Sequence, residues 1–77
     1  MVRERSGAAG DARAEAQSSL QLAPNVAAYL VLARLDLQAG ELGASAADVG
    51  NALRIEPGNS AALGMKTALA ARGQVLP

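Results

Sequence analysis

The groups able to do chemistry in this chain are few and mostly of one kind. Carboxylates stand at Glu4, Asp11, Glu15, Asp36, Glu41, Asp48 and Glu56, and the bases are Arg3, Arg5, Arg13, Arg34, Arg54, Lys66 and Arg72. Histidine and cysteine are absent. Neither a Ser-His nor a Cys-His nucleophile can therefore be built, and the commonest zinc donors are missing. The carboxylates do not fall in the spacing of a calcium loop. Gly7-Ala8-Ala9-Gly10 is rich in glycine, but no P-loop lysine follows it, so a helix boundary is the plainer reading. No catalytic, cofactor-binding or metal-ligating residue is assigned. The expectation is a protein that is not an enzyme and carries no cofactor.

Two charges nevertheless stand out. Arg34 and Asp36 interrupt the run Val26-Ala-Ala-Tyr-Leu-Val-Leu-Ala-Arg-Leu-Asp-Leu-Gln-Ala39, which is otherwise almost wholly apolar. Each either points to solvent or pairs with a neighbouring helix.

The 77 residues make one small domain, near the size at which a hydrophobic core becomes marginal. The hydrophobic fraction of 51% overstates that core, because nineteen of those residues are alanine and the only aromatic is Tyr29. Stability must come from helix propensity and from the close contacts that small residues allow. Seven basic and seven acidic residues cancel. Without a basic face, nucleic acid is not an expected partner. No apolar run approaches the roughly 18 residues that span a bilayer, and no signal-peptide core is present. A soluble, cytoplasmic protein without a membrane partner is the expectation.

Helices must position whatever site exists. Gly7, Gly40 and Gly73 recur at an interval of 33 residues, as do Gly10 and Gly43, Leu20 and Leu53, Leu22 and Ile55, and Pro24 and Pro57. Self-similarity at this period marks stacked supersecondary units. The spacing predicts a flexible segment over 1–9 and a first helix from about Gly10 to Leu22, stopped by Pro24. Asn25 caps a second helix from Val26 to about Ala39, ended at Gly40. A third runs from Gly43 or Ala44 to Ile55, with Gly50 either easing a close contact or simply tolerated inside it. Asn59 or Ser60 caps a fourth through Ala71 or Arg72, and Gly73 repeats the stop. Short connections make successive helices antiparallel neighbours.

Residues 26 to 59 resemble one complete tetratricopeptide repeat, a helix-turn-helix unit of about 34 residues. Tyr29, Leu32 and Ala33 stand where the family has a large residue, a leucine and a small residue. Gly40 and Leu42 match its turn, and Ser45, Val49, Ala52, Leu53, Ile55 and Pro57 match its second helix in order. Asp36 departs from the pattern, replacing the usual tyrosine, and the interval of 33 suggests a shortened loop between repeats. Residues 10 to 24 resemble the second helix of a preceding unit, and residues 59 to 73 the first helix of a following one. The resemblance implies an all-α fold: four antiparallel helices forming about two stacked hairpins, a helical domain over 10–77.

It also implies a function. First helices of the family line a concave surface, which places Ala27, Leu30, Arg34, Leu37 and Gln38 on the ligand face. In the fourth helix a strict offset of 33 adds Leu63 and Thr67, with Ser60, Ala70 and Ala71. A one-residue shift substitutes Ala61, Gly64, Ala68 and Arg72, and both registers stay open. Such an apolar surface with one cation suits an apolar segment carrying a carboxylate. For Leu30, Leu37 and Leu63 ordinary core packing is the competing role. The resemblance thus points to a module binding a protein or peptide partner. The alternative is a structural self-association element, a homodimer joined through exposed apolar helices, because fewer than three repeats leave apolar edges unsealed.

Overall fold

A computed structural model describes the backbone of residues 2–74 and the side chains of residues 10–74. The chain is all-α. Its helices are α1 (Val2–Leu22), α2 (Val26–Gln38), α3 (Leu42–Ile55) and α4 (Ser60–Ala71), with no strand among the described residues. They are joined by the short segments 23–25, 39–41 and 56–59, which fold each helix back on the one before it.

The first helix departs most from expectation. It begins at Val2 and runs through Gly7 and Gly10. A glycine inside a helix costs only about 1 kcal/mol, and the surrounding Glu4, Arg5, Ala8 and Ala9 favour the helix enough to carry it past both. Gly7 is therefore not a turn. The expected flexible segment, 1–9, falls on residues whose side chains lie outside the described part, as do residues 75–77.

The other boundaries follow from local chemistry. Asn25 is extended and its side-chain oxygen accepts the N–H of Ala28 at 2.8 Å. Asn59 does the same for the N–H of Ala62, also at 2.8 Å. Each satisfies a donor that the first helical turn leaves open. At the other end, Gly40 and Gly73 take φ of 81° and 93°. Beyond them Glu41 donates to the Asp36 carbonyl at 2.8 Å and Gln74 to the Leu69 carbonyl at 2.9 Å. This is the left-handed glycine stop that closes a helix on its last carbonyls.

These caps reveal how the repeat is spaced. The glycine stops lie 33 residues apart, but the asparagine caps lie 34 apart. The connection 56–59 holds one residue more than 23–25, and α4 is one residue shorter than α2. The loop between repeats is thus not the shortened part; the missing residue comes from the body of α4. Across this junction α3 echoes α1 at 33, and the start of α4 echoes α2 at 34.

Packing places α2 at the centre. It touches every other helix, whereas α1 rests on α2 alone and α4 on α3 and α2. The larger core joins Ala33 of α2, Val49 and Ala52 of α3, and Ala62 and Leu69 of α4, all fully buried. A smaller one joins Ala16 of α1 to Ala28 and Leu32 of α2. The competing role for Leu30 and Leu37 is borne out in part, since both are half-buried and pack on the larger core, as does Tyr29. Gly50 has open space where a Cβ would stand, so it is tolerated and eases no contact.

Candidate functional site

The face of α2 that neither α1 nor α3 covers carries Ala27, Arg34 and Gln38, all exposed. Successive helix positions are rotated by 100°, so these residues form one stripe along the helix. The half-buried Leu30 flanks it, while Leu37 turns further toward the larger core. The structure therefore brings together Ala27, Leu30, Arg34 and Gln38, with Leu37 at their margin. Among the described residues Arg34 makes no ion pair.

Leu63 and Thr67 do not join this stripe. With the cap register of 34, the positions of α4 that match Ala27, Leu30, Arg34 and Gln38 are Ala61, Gly64, Ala68 and Arg72. Leu63 and Thr67 match Tyr29 and Ala33 instead, on the side of α4 turned away from the buried Ala62 and Leu69. Both are exposed, Leu63 at 41%. At the start of α4 the offset of 34 matches the fully buried Ala62 to the buried Ala28, whereas the glycine stops keep 33.

Beside the stripe runs an open groove of about 300 Å³ between α1 and α2. Ala12, Glu15 and Ser19 form its α1 wall, and Ala27, Val31 and Arg34 its α2 wall. The floor is apolar, with an acid on one wall and a base on the other. Asn25 steadies one end, its side-chain amide donating to Ser19 Oγ at 2.9 Å while its oxygen caps α2. One asparagine thus fixes both the start of α2 and its angle to α1.

The most polar buried feature lies elsewhere, where α1, α2 and α3 converge. Asp36 is only 6% exposed, and its carboxylate meets the guanidinium of Arg13 on α1 at 2.9 Å. Of the two roles open to Asp36, pairing with a neighbouring helix is the one found. Asp48 of α3 approaches the same carboxylate. Its carboxyl is pushed up to about 6, chiefly by burial, then by its hydrogen bond to Asp36 and by that residue's charge, with Arg13 partly offsetting the rise. Asp48 therefore keeps its proton up to about pH 6, and in that form it donates to Asp36. Nearby, Ser45 is fully buried and its hydroxyl donates to the Ala33 carbonyl at 2.8 Å.

Asp48 and Arg13 escape the sequence reading, although Asp36 supplies a clue. A carboxylate in an apolar helix requires a donor, and Arg13 shares a helical stripe with the apolar Ala16 and Leu20. Asp36 sits under the helix packing, whereas Arg13 reaches a second open groove of about 320 Å³ that Gly10, Leu35, Gln38 and Ala39 also line. Among the described residues no group of carboxylates is gathered as metal ligands would be, and no helix is long and apolar enough to cross a membrane. No family model matches the chain, and no match to it was found among curated proteins or solved structures.

Proposed function

We propose that the chain is a non-enzymatic protein-binding module of the tetratricopeptide kind. It takes an apolar segment bearing a carboxylate along the stripe formed by Ala27, Leu30, Arg34 and Gln38, with Leu37 at its margin. The observation that carries this reading is the exposed Arg34 at the edge of the α1–α2 groove, a single cation above an apolar floor. Burial of an apolar side chain in the groove supplies affinity. A charge-assisted bond to the guanidinium supplies direction. Glu15 on the opposite wall repels the same carboxylate, so a bound segment is oriented with its acid toward α2.

Selection of peptides from a random library on the immobilised protein tests this. The enriched sequences should combine apolar residues with Asp, Glu or a free C-terminus. Arg34→Glu should weaken the best of them by about tenfold or more, the loss of one charge-assisted contact. Equal binding by wild type and Arg34→Glu overturns the reading.

A further inference from the structure

One interface occurs twice in this fold and another occurs once. The α1–α2 contact, with Ala16 and Leu20 against Ala28, recurs as the α3–α4 contact, with Val49 and Leu53 against Ala62. The α2–α3 contact has no second instance. On this side of α2, Val26, Tyr29, Leu30, Ala33 and Leu37 belong to the larger core that α3 shares. The same positions one repeat later are Ser60, Leu63, Gly64, Thr67 and Ala71, the outer face of α4, and all are exposed. The side of α3 that meets α2 holds Ser45, Val49 and Ala52. One repeat earlier these become Ala12, Ala16 and Ser19 on the α1 side of the groove, where Ala16 is buried against α2 and Ala12 and Ser19 remain half-buried.

The two open faces are thus the two halves of a single interface, set at opposite ends of one molecule. We propose that copies of this chain join head to tail, the outer face of α4 in one copy lying against α1 of the next. A second copy is the occupant that fits, because α1 stands to the preceding α4 as α3 stands to α2. The charges agree with it. The exposed charges on α1 beyond residue 10 are acidic, Asp11 and Glu15, since Arg13 is held by Asp36. Those on α4 and its cap are Lys66 and Arg72, with no acid among them. Head-to-tail contacts of this kind do not close on themselves, so assembly continues beyond two copies. The inference does not rest on the peptide reading, although Ala12 and Ser19 line the groove which that reading uses, so a joined copy and a peptide compete there.

Sedimentation of mixed variants tests it. Leu63→Asp blocks the α4 end, at an exposed position, and Ala12→Arg the α1 end, on the α1 wall of the groove. Wild type should grow in mass with concentration past the dimer. Each variant alone should stay monomeric, and an equal mixture should give a dimer and nothing larger, through the one pair of intact faces. Added salt should weaken wild-type association about two- to fivefold, because the two ends carry opposite charge. Circular dichroism of each variant confirms that the helices persist. A monomeric wild type at millimolar concentration overturns the proposal, as does a dimer formed equally by a single blocked variant, which marks a symmetric interface. A mixture that stays monomeric while wild type associates overturns it too.

Discussion

The two sides of α2 are held by different physics. Toward α3 and α4 it packs on a dry core of fully buried alanine, valine and leucine, closed by the Ser45 hydroxyl on the Ala33 carbonyl. Toward α1 it packs on Ala16, the one buried residue of that helix among the described side chains, and an ion pair completes the contact. Arg13 in that pair is 39% exposed, so solvent screens it and the pair contributes at most about 1 kcal/mol. The hairpin α2–α3 with α4 is therefore the stable body, and α1 is the helix that comes away first. The lesson concerns small alanine-rich domains. Where side chains are too small to fill an interface, a charge cluster completes it, and that interface becomes sensitive to pH and salt in a way that the core is not.

The contrast can be broken most severely by deleting the same side chain on each side. Leu69→Ala, in the dry core, should cost close to the upper end of about 2–5 kcal/mol. Leu32→Ala, under α1, should fall near the lower end, because the loosely held helix can settle into the gap. Urea unfolding of both variants checks this, and an equal or reversed order would erase the distinction.

A smaller effect sharpens the electrostatic side. Asp48 holds its proton up to about pH 6, against an ordinary value of 3.8. A carboxyl whose value is raised by folding stabilises the fold fully below its unfolded value. That stabilisation is lost as pH climbs through 4 to 6 and stays lost above. Asp48→Asn keeps a donor toward Asp36 and removes the ionisation. It should match wild type at pH 4 and exceed it by about 1 kcal/mol at pH 8, allowing for partial solvent screening. Thermal melts across this range check the sign. The smallest change is Gly50→Ala, which should stabilise α3 by up to about 1 kcal/mol, since nothing stands within 4 Å of the new methyl.

Much of this architecture is legible in the residues. Prolines and glycines mark the ends of α2, α3 and α4, and Asn25 and Asn59 announce their caps, because these signals act within one helical turn. The start of α1 is not legible, since Gly7 and Gly10 resemble punctuation and only the balance of propensities carries the helix through them. The register of α4 hides for a different reason. The Gly40–Gly73 echo stays at 33 while the caps move to 34, and only burial of Ala62 decides which spacing governs the faces. Of the candidate site, the resemblance places Ala27, Arg34 and Gln38 on one face of α2, and the structure leaves all three exposed there. The partnership of Asp36 with Arg13 and Asp48 requires three helices to converge, and no local pattern encodes it.

Site-resolved amide hydrogen exchange of the monomer at pH 7 tests the division of the molecule most directly. The account expects the amides of α1 to exchange through an opening that leaves α2 and α3 protected, with a smaller opening free energy, and expects Asp48→Asn to narrow that gap. Protection that is equal from α1 through α4, lost everywhere in one cooperative step, would contradict it.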